Sequence, residues 1–365
     1  MLTVMNSCRE DYRPPAISSP RGYLVVDGFL NNSTDTTFIH LSRTAKLDAT
    51  LINASEPEIN AQLFLQDNEG NNVYAFQPTA TNGTYIVPGM SLDVNKKYVL
   101  TIKTADGRQY ASDVIPVKLT PPIDSVNWIK NNDGVTIYAN SHDPLNNTRY
   151  YRWEFTDTYE YSAADFSGLI YRNDSLLDRP ASEQIFYCWR TRNSTSLLLS
   201  SSEKLSQDVI YEFPVKQIPL NTVELGIRYS MMLKEYAITK EAYQYMENLK
   251  KNTEEIGSLF DAQPSQVGGN MHCVTNPDEP VLGFMTAMNV QSKRIFIKND
   301  DVAPWTFRPP CDVPVRKIGG DSLRFYVAAG YVPLYTLIGG AIVINTYSCA
   351  DCRAFGGVTQ QPDFW

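Results

Sequence analysis

The residues of this chain that could do chemistry are few and far apart. Gly320-Asp321-Ser322-Leu323 spells the block at which certain serine esterases carry their nucleophile. A serine in that role needs a histidine to take its proton and an acid a few residues before that histidine. In those enzymes the block lies near the N-terminus and the histidine comes late. Here no histidine follows Ser322, and a turn before a strand accounts for the four letters. The three histidines, His40, His142 and His272, leave few groups that exchange protons near neutral pH. Cys349-Ala350-Asp351-Cys352 has the spacing of half a zinc site, which Cys311 or His272-Cys273 would have to complete. Zinc ribbons use two such pairs, and this chain has one. A thioredoxin-like redox pair would need a βαβ pattern around it, which is missing. Asp67-Asn68-Glu69-Gly70-Asn71 and Asn299-Asp300-Asp301 depart from the calcium-loop pattern and read as turns. No catalytic, metal or cofactor site is expected, so the chain reads as non-enzymatic.

One cysteine stands apart. Met5-Asn6-Ser7-Cys8 resembles the end of a bacterial lipoprotein signal, in which small residues precede the cysteine that receives the lipid. Arg9-Glu10-Asp11 then resembles the acidic signal that sends such proteins to the cell surface, and residues 9–20 would form a tether. With Cys8 set aside, Cys188, Cys273, Cys311, Cys349 and Cys352 remain. In an exported protein these make at most two bridges and leave one thiol. Bridges are the expectation ahead of zinc and of free thiols, and the pairing is not deducible from sequence.

These residues must be held by a mainly β framework. A chain of 365 residues is long enough for two domains at roughly 100–200 residues each. Net charge of −8 leaves nothing basic to replace phosphate counterions, which excludes nucleic acid as a partner. With 22 Tyr, 15 Phe and 22 Pro, the chain has the profile of a turn-punctuated β protein. Short strands recur over residues 22–119, which predicts an immunoglobulin-like β-sandwich. Thr120-Pro121-Pro122 marks a boundary, and residues 120–365 read as a larger β-rich domain. One helix interrupts it near residues 239–256, capped by Thr239, stopped by Gly257, with Tyr243, Met246, Leu249, Thr253 and Ile256 on one face. Residues 325–344 carry no charge, but Gly330, Pro333, Gly339 and Gly340 break the run. Two buried strands joined by a proline-containing turn are expected there, not a membrane span. Trp128, Trp153, Trp189, Trp305 and Trp365 could form a sugar-stacking platform, though aromatics in such domains are mostly core.

Several longer blocks resemble one family. They are Thr239-Lys240-Glu241-Ala242-Tyr243, Gly257-Ser258-Leu259-Phe260-Asp261 and Asn276-Pro277-Asp278-Glu279-Pro280-Val281-Leu282-Gly283-Phe284, with Cys349-Ala350-Asp351-Cys352-Arg353 and Pro362-Asp363-Phe364-Trp365 at the end. Leu24-Val25-Val26-Asp27-Gly28 fits near the start. On these residues the chain resembles the Bacteroidota outer-membrane lipoproteins grouped as domain of unknown function 4249. The resemblance implies a cell-surface lipoprotein anchored at Cys8, facing the exterior and working as an accessory subunit of a TonB-dependent outer-membrane transporter in nutrient uptake. The alternative is a free-standing module that binds glycan or peptide cargo, and a hydrolase using Ser322 is a more distant one. The closing Pro-Asp-Phe-Trp behind a cysteine pair also reads as a pinned chain end that buries Phe364 and Trp365.

Overall fold

Alternation of apolar and polar side chains sets most of this chain into strands. In Thr37–Arg43 the buried positions are Thr37, Ile39, Leu41 and Arg43, the period of two that puts one face of a strand against a core. The computed structural model describes residues 22–45, 56–254 and 268–365. They are mainly β. Cys8, with the rest of residues 1–21, lies outside the described residues, as do Ile256, Gly257 and the block from Ser258 to Pro264.

The chain divides into two units. One comprises Met1–Val117 with Gln266–Ala287, the other Lys118–Ser265 with Met288–Trp365. The sequence expectation placed one boundary after residue 119 and ran the second domain unbroken to the end. The structure instead returns a late segment to the first unit.

In the first unit, a five-stranded sheet contains Leu24–Gly28, Thr37–Arg43 and Thr84–Val87. An eight-stranded sheet contains Gln62–Asp67, Lys97–Lys103, Gln109–Ser112 and, from the late segment, Met271–Cys273. Both feed one core, with Leu24, Ile39 and Tyr85 from the first and Leu63, Leu100 and Tyr110 from the second. Each fully buried side chain of this kind contributes about 1.5–3 kcal/mol. The turn expected at Asp67-Asn68-Glu69-Gly70-Asn71 is present and joins Gln62–Asp67 to Asn72–Ala75, with Gly70 at φ 82°. Asp67 Oδ1 accepts from the backbone N–H groups of Glu69 and Asn71, both at 3.0 Å, so this carboxylate holds a turn.

The late segment is tied in by backbone and by charge. Cys273 pairs with Tyr110 across the sheet. Val26 N donates to Leu282 O at 2.8 Å, and Leu282 N to Leu24 O at 2.9 Å. Gly283 has φ +131°, and a Cβ there would meet Val26 O at 2.1 Å, so glycine is required. Buried Glu279 accepts from Arg108 Nη1 at 2.7 Å and Tyr110 Oη at 2.9 Å, with Arg43 Nη1 at 3.5 Å. Much of the block running from Asn276 to Phe284 is therefore accounted for by structure.

In the second unit, Ile123–Asn131, Gly134–His142 and Val209–Pro219 form a three-stranded sheet. The long strand Tyr150–Ser162 is central to a five-stranded one. Arg228–Ala237 runs along one of its edges, followed outward by Val290–Lys298. On the other edge, Leu198–Ser201 pairs with its beginning and Tyr187–Asn193 with its end. Val135, Ile137 and Ala139 from the first sheet and Tyr151, Trp153, Tyr229, Met231 and Leu233 from the second share a core. The predicted helix spans Lys240–Glu254, and Thr239 Oγ1 caps it by accepting from Ala242 N at 3.2 Å. Ala242 and Met246 are buried on its inner face, and Tyr243 packs against Tyr150 with ring centroids 5.2 Å apart.

Residues 325–344 depart from expectation. Leu323–Ala328 is a short helix, and Leu323, Tyr326 and Val327 turn one face to a small core at helical spacing. Strands Tyr331–Thr336 and Ile342–Thr346 follow, but glycine makes their turn, with Gly339 and Gly340 at φ 100° and 84°. Pro333 sits inside a strand at a register shift, where a missing N–H is tolerated. Among the described residues no helix is long and apolar enough to cross a membrane.

Cys188 is bonded to Cys352 and Cys311 to Cys349, while Cys273 is a buried free thiol. The chain end is pinned less deeply than expected. Trp365 Nε1 donates to Glu160 at 3.3 Å and lies under Arg228. Phe364 remains 40 % exposed, held beneath the Arg294 guanidinium at 3.6 Å instead of entering a core.

Candidate functional site

The residues nominated from sequence do not assemble into a reactive centre. Ser322 ends a one-turn helix before Leu323–Ala328. The histidines are engaged elsewhere: His40 Nδ1 with Thr84 Oγ1 at 3.0 Å, His142 Nδ1 with Asp124 at 2.8 Å, and His272 Nε2 with Asp113 at 2.9 Å. The hydrogen bond to Asp124 raises the His142 pKa. Cys349 and Cys352, the supposed half of a zinc site, bond to different cysteines, and the described residues contain no cluster of metal-ligating side chains. Trp153, Trp189 and Trp305 are buried, so they offer no platform to a sugar. Asp351 Oδ1 accepts from Arg353 N at 2.9 Å and caps the final turn.

What the structure does assemble is a charged cleft in the second unit. Tyr150–Ser162 changes partner on one edge, from Leu198–Ser201 to Tyr187–Asn193, and residues 194–197 bridge the gap. Ser194 spans it by donating N–H to Phe155 O at 2.8 Å and accepting from Phe155 N on its Oγ at 3.1 Å. This interruption opens a cleft of about 370 Å³ lined by Phe155, Asp157, Arg192, Lys216, Glu224 and the polar residues 193–196.

Asp157 lies two residues after Phe155, on the core-facing side of the strand, and is fully buried. A carboxylate removed from water needs compensation. It comes from Lys216 Nζ, from Arg192 Nε and Nη2 at 3.4 and 3.5 Å, and from Tyr229 Oη at 3.4 Å. Arg192 Nη2 also donates to Glu224 Oε1 at 2.9 Å. Burial, the largest single influence, would raise the Glu224 carboxyl, but hydrogen bonds from Arg192, Thr222 and its own backbone N–H, with the Arg192 charge, together hold it below its ordinary value. Burial would lower the Arg192 pKa, yet Glu224 and Asp157 raise it, so this guanidinium is charged at any accessible pH. The carboxylates sit at the back, and the exposed part of the cluster is Arg192, whose side chain is 38 % exposed. The cleft can offer hydrogen-bond donors from cations already oriented by buried acids.

Residues 9–294 match the family described as Domain of unknown function (DUF4249). The chain belongs to this family. The matched span takes in the whole returning segment of the first unit and Asp157, Arg192, Lys216 and Glu224 of the cleft. Cys311, Cys349 and Cys352 lie beyond it. No curated protein matches the chain.

Sequence reasoning missed the cleft because its parts are widely separated in the chain. One signal was available. In Tyr151, Trp153, Phe155, Asp157, Tyr159 and Tyr161, the alternate positions of one strand, a single acid occupies a phase otherwise aromatic.

Proposed function

We propose that this member of the DUF4249 family is a non-enzymatic lipoprotein of the outer membrane, anchored through Cys8 and facing the cell exterior. Its role is that of an accessory subunit of a TonB-dependent transporter in nutrient uptake, with cargo contacted at the charged cleft of the second unit. The observation that carries the export part is the pair of disulfides, Cys188–Cys352 and Cys311–Cys349. Such bridges persist in oxidising compartments outside the cytosol, where thiols are otherwise kept reduced. The transporter association rests on the resemblance of the sequence blocks named above to Bacteroidota outer-membrane lipoproteins. We take the first unit as an immunoglobulin-like sandwich that follows the anchor in the chain.

The test is a pull-down from the native host in mild detergent, with mass spectrometry of partners and of the Cys8 peptide. An acylated Cys8 with a co-purifying β-barrel is expected. A non-acylated protein recovered alone would overturn the reading in favour of a free-standing glycan- or peptide-binding module. That second reading draws on the cleft itself, whose oriented Arg192 and Lys216 need no partner protein to bind a small ligand.

A further inference from the structure

A second hollow adjoins the cleft. It measures about 220 Å³ and is walled by Tyr159, Tyr161, Val223, Phe307, Pro310 and Phe355, with Arg190 at its side. The walls are held firmly. Tyr161 Oη donates to Cys352 O at 2.8 Å, and Cys352 is bonded to Cys188. Arg190 Nη1 donates to Phe355 O at 3.1 Å. A cavity of about 150 Å³ with apolar walls already admits a benzene ring, so this one takes an aromatic or branched aliphatic group. The two hollows share a wall, because the Arg192 guanidinium lies over the Tyr159 ring at 4.9 Å. Val223 of the apolar hollow and Glu224 of the charged one are neighbours in a single turn.

The charge along this groove is unlike that of the whole chain. Arg190, Arg192 and Lys216 face two carboxylates, Asp157 and Glu224, among its lining residues. One positive charge is left over in a chain whose net charge is −8. Asp157 is the innermost member at 0 % side-chain exposure, Glu224 and Lys216 follow at 14 % and 15 %, and Arg192 is the outermost at 38 %. Glu224 engages Nη2 of Arg192, and Asp157 engages Nε and Nη2. A planar guanidinium so oriented suits a carboxylate.

We propose that this bipartite groove binds a peptide segment in which an aromatic or branched aliphatic side chain adjoins an acidic one. The apolar side chain fills the Tyr159–Phe355 hollow and the carboxylate meets Arg192 and Lys216. This deepens the cargo-binding part of the reading above. It is tested on purified protein, so its failure leaves the outcome of the transporter pull-down untouched.

The probe is a fluorescein-labelled peptide with adjacent Phe and Asp, compared by fluorescence polarisation with its Asp-to-Asn and Phe-to-Ala counterparts. Each replacement is expected to weaken binding at least about tenfold, since a hydrogen bond to a charged group or a buried ring is lost. Arg192→Gln should weaken the Asp peptide by a similar factor and leave the Asn peptide nearly unchanged. Arg192→Lys, which keeps a cation beside Asp157 and Glu224 but loses the planar fork, should give a smaller loss confined to the Asp peptide and serves if Arg192→Gln does not fold. Equal affinity for the Asp and Asn peptides, or no saturation by about 1 mM, would overturn the proposal. N-acetylphenylalanine binding as tightly as the peptide would overturn the peptide assignment in favour of a small aromatic acid.

Discussion

Glu235→Gln should make the second unit more stable at neutral pH. Glu235 points from Arg228–Ala237 into the core and is fully buried. Its Oε1 accepts from Ser141 Oγ at 2.7 Å, and its Oε2 has no partner among the described residues. Burial pushes its pKa from 4.5 up to about 8, against the lowering effect of Ser141 and with a further push from Asp124 and Asp208. The folded protein therefore keeps a proton that the unfolded chain releases between pH 4.5 and about 8. Stability falls as pH rises through that window, and the loss is complete above it. At about 1.4 kcal/mol per pKa unit, the span from 4.5 to about 8 amounts to about 5 kcal/mol, of which about 3 has been lost by pH 7. Glutamine imitates the protonated acid and cannot ionise in either state. The variant should match the parent near pH 4.5 and exceed it by about 3 kcal/mol at pH 7. Urea unfolding followed by tryptophan fluorescence is the assay, because Trp128, Trp153, Trp189, Trp305 and Trp365 all belong to the second unit. Parallel stability curves for the two proteins from pH 5 to 9 would refute the reasoning.

Four other tests follow from the same structure. Glu279→Ala removes the carboxylate shared by Arg43, Arg108 and Tyr110 and should destabilise the first unit by about 1–3 kcal/mol, since Arg43 keeps Glu58 at 2.6 Å and Arg108 is partly exposed; hydrogen exchange in Lys97–Lys103 reads this out, and unchanged protection counts against it. Gly283→Ala drives a Cβ to 2.1 Å from Val26 O at φ +131° and should cost more than about 2 kcal/mol, seen as early proteolysis of the returning segment. Reduction of the disulfides should lower the tryptophan-monitored melting temperature, since opening a cross-link between residues 164 apart removes about 2–5 kcal/mol. Without reductant, Cys273 should resist alkylation in the folded protein and react in urea.

Asp157 and Glu235 show where legibility in the sequence ends. Period-two alternation announces Tyr150–Ser162, and the cap at Thr239 announces the helix, because both signals are local. The same alternation places Asp157 and Glu235 at core-facing positions, between Phe155 and Tyr159 and between Leu233 and Ala237. Both are acids that the pattern says should be apolar, and in sequence they look alike. Their fates differ because of residues far away in the chain. Asp157 meets Lys216, 59 residues on, and Arg192, 35 residues on, and becomes the anchor of an ionic cleft. Glu235 meets a hydroxyl from Ser141 and is left to hold its proton. The returning segment hides for the same reason, since Met271–Cys273 is only three residues long and its pairing with strand Gln109–Ser112 is what assigns it to the first unit. Local pattern thus reports which way a side chain points, while long-range pairing decides its partner. For an acid turned into a core, the partner separates an ion-paired cleft from a titrating group.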